Sequence, residues 1–155
     1  MNRHAQPVPF GLTIVEVLIV LAIVGIMAGI SLLSVDWEAF RLKSGAQNLR
    51  SSLMKARAEA VKTNTNASVD LLPESFSVVV QDTVQDTHTL DDDLTLCSTD
   101  LSPLSTDSIS FTPMGRSSNA HVKISNAQNN FSILVNPAGK ITIEGPDQGA
   151  CQEGG

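Results

Sequence analysis

The chain has 155 residues, enough for one domain with a sizeable core, and only 4% of them are aromatic, so that core must be mostly aliphatic. The net charge of −6 combines two unlike parts, because residues 41–62 carry +5 whereas residues 63–155 carry −9. The acidic second part argues against nucleic-acid binding, which depends on neutralising phosphates, and the opposite signs favour electrostatic packing within the chain or between copies.

Residues 1–11 are short and polar, and two prolines keep them out of any helix. Residues 12–35 follow as an apolar run whose one charge is Glu16. As a helix rising about 1.5 Å per residue, this run can cross a bilayer core of about 30 Å, and it is too long for an ordinary cleaved secretory signal. Arg3 before it and acids beyond it predict a cytoplasmic N-terminus. A carboxylate inside a membrane span marks a functional site that needs a partner.

Residues 36–62 continue with one apolar stripe at alternating steps of four and three. Its members are Leu42, Ala46, Leu49, Leu53, Ala56 and Ala60. This spacing predicts that the membrane helix continues as an amphipathic helix, giving one helix from about residue 12 to 62. Trp37 and Phe40 lie where an interfacial aromatic belt is expected.

Residues 63–155 read as strands separated by turn residues. The predicted strands are Ala67–Leu72, Ser75–Gln81, Leu94–Ser98, Ser108–Thr112, His121–Ser125, Phe131–Asn136 and Lys140–Glu144. A tight turn at Asn136–Gly139 joins the last two, and residues 82–93 and 99–107 are predicted to be mobile loops. The predicted fold class is α+β, with a long N-terminal helix whose second half packs on a small antiparallel β-sheet domain.

The segment Gly11–Glu16, G-L-T-I-V-E, resembles the leader junction of type IV pilins and type II secretion pseudopilins. The resemblance implies that prepilin peptidase cleaves after Gly11 and that Leu12, the new N-terminus, is methylated. Glu16 is then the fifth mature residue, and its carboxylate pairs with the α-amino group of a neighbouring subunit during filament assembly. In the alternative interpretation, the Glu16 carboxylate has no such partner and reaches the lipid headgroups. Leu12 departs from the usual Phe or Met, and Leu33 replaces a common proline.

Three further motifs resemble the GspH/FimT group of minor pilins and pseudopilins. They are the helix end Leu49–Lys62 with A-R-x-E-A, the strand and turn Ile109–Gly115 with F-x-P-x-G, and the hairpin Asn136–Ile143. The resemblance implies a pilin-like fold and a low-copy subunit that initiates or caps a type II secretion pseudopilus or a type IV pilus. The implied partners are prepilin peptidase, other pilins or pseudopilins through the N-terminal helix, and the bacterial inner membrane, with the C-terminal domain in the periplasm.

Some FimT-like minor pilins bind DNA in natural transformation through a G-R-x-R motif in the closing hairpin. The matching positions here run from Gly139 to Thr142, where Lys140 keeps one base and Thr142 replaces the other. Only Arg116, Lys123 and Lys140 remain as candidate DNA contacts in an acidic region, so nucleic acid is not expected as a partner. DNA binding stays the alternative function, and an anchored periplasmic domain that never polymerises is a second rival.

In an oxidising periplasm Cys97 and Cys151 are candidates for a disulfide; the alternative is two unpaired thiols. The sequence has no H-E-x-x-H, G-x-S-x-G or phosphate-binding loop, which predicts neither an enzyme nor a cofactor. The aspartates Asp91–Asp93 lack the spacing and glycine of an EF-hand, so a solvated acidic loop is expected there and no metal site.

Overall fold

The protein is described here by a computed structural model that covers residues 13–33, 36–99 and 107–151. The chain divides into two compact units, Met1–Asp36 and Trp37–Gly155. Among the described residues, the first unit contains one helix, and the second contains one helix and eight strands.

Helix α1 of the first unit spans Ile14–Leu33. Thr13 starts it as an N-cap residue, because its hydroxyl oxygen accepts a hydrogen bond from the backbone N–H of Glu16 at 3.3 Å. The described side chains of this unit, residues 13–28, are all exposed. Within the described ranges, no helix combines the length and the apolar character that crossing a membrane requires.

Helix α2 of the second unit spans Trp37–Thr63, and all six residues of the predicted apolar stripe are buried along it. Gly45 and Ser52 are buried on the same face. A methyl group at Gly45 would lie 2.8 Å from Ile124 Cδ1 and 3.0 Å from Leu94 Cδ1. A side chain at this position would therefore have to displace the ends of Ile124 and Leu94, so the glycine lets the helix lie close to both of them.

The sequence predicts one helix from residue 12 to 62, whereas the structure describes two, with Asp36 in neither. Aspartate is a preferred residue at the position just before a helix, and Asp36 occupies that position for α2. Residues 34 and 35 lie outside the described residues. Trp37 and Phe40, the predicted interfacial aromatics, are both exposed and contact each other edge to face.

The eight strands form two four-stranded antiparallel sheets. In chain order they are β1 Ala67–Leu72, β2 Ser75–Val80, β3 Thr83–Thr89, β4 Thr95–Cys97, β5 Asp107–Phe111, β6 Ala120–Ser125, β7 Asn129–Val135 and β8 Ile141–Gln148. The first sheet has the order β3-β2-β1-β5 and the second has the order β4-β6-β7-β8. The described edge strands are therefore β3 and β5 in one sheet and β4 and β8 in the other.

The core lies between α2 and the inner faces of the two sheets, and it is almost wholly aliphatic, as predicted. Phe76 and Phe111 are its buried aromatic side chains among the described residues. Inner and outer residues alternate along the strands; in β2, for example, Phe76, Val78 and Val80 are buried and their neighbours are not. The predicted α+β fold, a helix packed on a small antiparallel β domain, is confirmed.

The prediction of a loop over residues 82–93 is wrong, because β3 lies within it. This strand, T-V-Q-D-T-H-T, has no buried side chain, so it lacks the apolar alternation that signals a half-buried strand. It pairs with β2 through a two-residue turn in which Gln81 and Asp82 have φ of 53° and 58°. Two positive φ values are typical of a hairpin turn that usually carries Asn-Gly, and the pair Gln-Asp at these positions does not indicate such a turn. Residues 100–106, most of the second predicted loop, lie outside the described residues.

The other predicted strands are present: β1 has the predicted bounds, and the ends of the others differ by at most four residues. The largest difference is at β8, which runs to Gln148 instead of Glu144. The predicted turn at Asn136–Gly139 is confirmed: Gly139 N donates to Asn136 O at 2.8 Å and Asn136 N to Lys140 O at 3.1 Å. Gly139 has φ of +74°, a conformation that favours glycine.

Candidate assembly surface

Glu16 lies in the first turn of α1 and is exposed. Thr13 and Glu16 have the spacing of a capping box, in which Thr at the N-cap and Glu or Gln three residues later each bond the other's backbone. The first half of that motif is present as the bond from Glu16 N to Thr13 Oγ1. A carboxylate here also interacts favourably with the helix dipole. Glu16 therefore contributes to the start of the helix, a role that its spacing from the predicted leader junction did not indicate. Gly11 and Leu12 lie outside the described residues.

Arg57, on α2, connects two turns that are distant in sequence. Its Nε donates a hydrogen bond to the carbonyl oxygen of Gly115 at 3.0 Å, and its Nη2 donates to that of Ala138 at 3.3 Å. Gly115 ends the F-x-P-x-G motif, and Ala138 lies in the turn before β8. The three motifs that resemble the GspH/FimT group therefore meet at one guanidinium group.

The glycines of the two turns are required by this close approach. Gly115 and Gly139 both have positive φ, +69° and +74°. A methyl group on Gly139 would collide with the carbonyl oxygen of Gly115 and would lie 2.8 Å from Arg57 Nε. Ser117 N also donates to Pro137 O at 3.3 Å, which ties the same two turns together.

Two of the three candidate DNA contacts lie at this junction. Arg116 and Lys140 directly follow the two glycines, and both are exposed. Lys123 is instead on β6, opposite Ser132 of β7, which in turn is opposite Glu144 of β8. Because paired residues point to the same face of a sheet, Lys123 shares its face with an acid and does not extend the Arg116–Lys140 pair.

On one side of α2, basic side chains form ion pairs with acids of the same chain. Arg41 Nη2 is 3.2 Å from Asp93 Oδ2, and Lys55 Nζ is 2.8 Å from Asp86 Oδ2. The hydrogen bond from Lys55 holds the pKa of Asp86 below its ordinary value, and His88, 3.4 Å from the same oxygen, acts in the same direction. The aspartates predicted to form a free acidic loop thus include one, Asp93, that is bound to the helix.

Cys97 and Cys151 are bonded to each other in the structure, with their sulfur atoms 2.08 Å apart. Cys97 is buried on β4, and the bond joins this strand to the end of the described chain. Cys151 N donates to Ser125 Oγ at 2.9 Å, and Asn130 Nδ2 donates to Gly149 O at 3.0 Å. The end of the described chain is therefore held by hydrogen bonds as well as by the bridge.

In the part of the chain that the structure describes, no three His, Cys, Asp or Glu side chains are grouped so that they could hold a metal ion. The junction at Arg57 offers donors to neutral carbonyl groups, which positions turns and does not activate a nucleophile or a water.

The sequence profile of the family described as type II transport protein GspH matches residues 45–139 of this chain. Two crystal structures of the type IV minor pilin FimU from Pseudomonas aeruginosa (strain PAO1) have the same fold. The form in space group P21 superposes with a TM-score of 0.60 at 19% identity, and the match covers 74% of this chain and 98% of FimU. The form in space group P65 superposes with a TM-score of 0.59 at 20% identity, and the match covers 72% of this chain and 100% of FimU. No protein of curated function matches the sequence.

Proposed function

The chain belongs to the GspH family of type II transport proteins and has a pilin fold, and on that premise we propose that it is a minor pilin or pseudopilin cleaved by prepilin peptidase. Cleavage after Gly11 exposes the amine of Leu12, which is then methylated. The mature chain enters the inner membrane through residues 12–35, with its second unit in the periplasm. From there it joins a type II secretion pseudopilus or a type IV pilus, which it initiates or caps.

The observation that carries this proposal is the exposure of the apolar side chains of α1. Ile14 is 81% exposed and Leu21 is 61% exposed, in a helix whose described residues include one charge, Glu16. Contiguous apolar surface of this extent is unstable in water and marks a membrane or protein contact. The second unit, in contrast, buries its own core without α1. The helix is therefore available first to lipid and then to the helices of other subunits.

Glu16 is proposed to pair with the α-amino group of a neighbouring subunit when these helices bundle. A lone carboxylate among apolar helices carries a large desolvation cost, which an adjacent amine offsets. The capping contact with Thr13 is a competing explanation for the same residue, because it needs no neighbour.

The variants Glu16→Gln and Glu16→Ala separate these two roles in the full-length chain. Glutamine keeps the capping box but has no charge, whereas alanine removes both. If pairing with an amine is the function, both variants are lost from sheared filaments while both are still cleaved and inserted. The measurements are immunoblots of the filament and membrane fractions and the mass of the mature N-terminus.

A Gly11→Ala chain serves as the processing control, since it is expected to remain uncleaved and to stay out of filaments. Incorporation of Glu16→Gln at the wild-type level would show that Glu16 acts only as a helix cap. An intact Met1 in the wild-type chain would favour the anchored domain that never polymerises.

The alternative function, DNA binding, is supported by the closeness of Arg116 and Lys140 at the Arg57 junction. A gel shift with residues 36–155, which contain the whole buried core, tests it at several salt concentrations. Binding that weakens steeply with salt and is reduced in an Arg116→Ala/Lys140→Ala variant would favour this role. We expect no shift, because the surrounding region is acidic.

A further inference from the structure

Helix α2 carries its bases on two opposite flanks. The buried stripe faces the sheets, and the two columns of bases lie on either side of the outward face, with members seven or fourteen residues apart. One column is Arg41, Lys55 and Lys62. The other is Lys43, Arg50 and Arg57.

Each base of the first column is neutralised within the chain. Arg41 and Lys55 pair with Asp93 and Asp86, and Lys62 Nζ is 3.1 Å from Glu59 Oε1. These contacts place the first column beside β3 and the segment that leads from β3 to β4.

The bases of the second column have no such partners. Among the described residues, no carboxylate lies within ion-pair distance of Lys43 or Arg50, and Arg57 donates to two neutral carbonyl groups. Lys43 lines an apolar cavity of about 280 Å³ together with Phe131 and Pro146, which places this column beside β8. Lys43 to Arg57 spans about 21 Å at a rise of 1.5 Å per residue.

This column continues into the exposed bases Arg116 and Lys140 at the two turns bound by Arg57. We call this set of bases the basic flank. It comprises Lys43, Arg50, Arg57, Arg116 and Lys140. Glu144 of β8 does not neutralise it, because Glu144 lies opposite Ser132 and so points to the outer face of the sheet. Asp147, the other acid of β8, forms no described ion pair with these bases.

The other side of the second unit carries exposed carboxylates outside any described ion pair. They are Glu74, Asp82, Asp91 and Asp92, and we call them the acidic edge. The backbone bond from Leu90 N to Glu74 O, 2.9 Å long, brings Glu74 beside Asp91 at one end of β3, and Asp82 lies at the other end. The seven residues of β3 span about 23 Å, which is similar to the distance of about 21 Å from Lys43 to Arg57 along α2.

We propose that the basic flank is a docking surface for the acidic edge of a second copy of this chain. The two surfaces are opposite in charge, similar in length and located on opposite sides of α2. An interface between two different surfaces is heterologous, so two copies joined in this way still leave one surface of each kind free. The inference rests on the proposed assembly function, and it assigns to the second unit a contact separate from that of α1.

Zero-length crosslinking of the full-length chain in detergent tests the contact directly. Equal amounts of ¹⁴N- and ¹⁵N-labelled protein are mixed and treated with a carbodiimide, which joins amines only to carboxylates in contact. Peptides of mixed isotope that link Lys43 or Lys140 to the acidic edge are expected at low salt. Their yield should fall at high salt, because exposed charges are screened. The link from Lys55 to Asp86 should contain one isotope only and serves as the internal control.

Charge reversal provides the second measurement. The variants Lys43→Glu/Arg50→Glu and Asp91→Lys/Asp92→Lys should each lose mixed-isotope links by about tenfold or more, because like charges then face each other. Mixing the two variants restores opposite charges across the interface and should restore the links. A Glu59→Lys/Lys62→Glu exchange, which keeps the charge of α2 unchanged, should behave as the wild type.

Absence of mixed-isotope links in the wild type at low salt would overturn the proposal, and so would links that survive reversal or fail to return on mixing. Preferential binding of a DNA duplex or of a different pilin subunit to the basic flank would also overturn it. Because the reversed residues lie outside α1, cleavage after Gly11 and the effect of Glu16→Gln remain testable whatever the crosslinking shows.

Discussion

The two helices of this protein differ in where their apolar residues lie, and that difference decides where each finds its partner. Helix α1 is apolar on every described side, and its described side chains, those up to residue 28, are exposed. Helix α2 has one apolar stripe, which is buried against the sheets of its own unit. An amphipathic helix can complete its packing within one domain, whereas a helix that is apolar all round needs lipid or other helices. The apolar residues that stabilise the fold therefore lie on α2, whereas those available for assembly lie on α1.

The largest effect is expected when a leucine is replaced by alanine in α2, and the same substitution in α1 serves as the comparison. Leu49→Ala in α2 removes a side chain with 0% exposure and should lower the free energy of unfolding of the second unit by about 2–5 kcal/mol. Leu21→Ala in α1, where the leucine is 61% exposed, should leave it unchanged. Urea denaturation followed by circular dichroism measures both. Equal destabilisation by the two variants would contradict the conclusion that α2, and not α1, stabilises the second unit.

A second effect concerns the chain end of the second unit. The bond between Cys97 and Cys151 closes a loop with a sequence separation of 54, for which the chain-entropy model gives about 4 kcal/mol as an upper figure. Cys97→Ser/Cys151→Ser should therefore unfold at clearly lower urea concentration than the wild type. Thiol counting under denaturing conditions checks that the wild type is oxidised, and two free thiols there would remove the basis of the prediction.

A third effect tests the junction at Arg57. Arg57→Ala should cost about 1–3 kcal/mol, because hydrogen bonds from a charged donor to the two turns are lost. Arg57→Lys, which keeps the charge but not the planar guanidinium group with its several N–H donors, should recover only part of the lost stability. If lysine restored full stability, charge rather than the paired carbonyl contacts would be the important property.

The smallest effect is a pH dependence at Asp86. Its pKa is held below the ordinary value of 3.8 by the hydrogen bond from Lys55, so the contribution to stability is present above about pH 4. It is lost as the pH falls through the lowered pKa. The difference in urea midpoint between the wild type and Asp86→Asn should therefore be constant from pH 7 to about pH 5 and shrink below about pH 4. A difference that grew on acidification would have the wrong sign.

The sequence predicted α2 and most strands because their apolar residues repeat with the period of the element that buries them. It did not predict β3 for a physical reason. This edge strand has no buried side chain, so its sequence lacks the apolar alternation of a half-buried strand, and the turn before it at Gln81 and Asp82 lacks the usual Asn-Gly. The Arg57 junction could not be predicted either, since Arg57, Gly115 and Ala138 are brought together only by the tertiary fold. Local patterns determine elements, and contacts between distant turns depend on how those elements pack.

Gly45 has a consequence for the spacing between α2 and the residues beneath it. A methyl group there would lie 2.8 Å from Ile124 Cδ1 and 3.0 Å from Leu94 Cδ1, the ends of two flexible side chains. These two side chains therefore occupy the space that a side chain at position 45 would need, and a larger residue would have to displace them. The separation between the helix and its core neighbours thus depends on one residue that has no side chain.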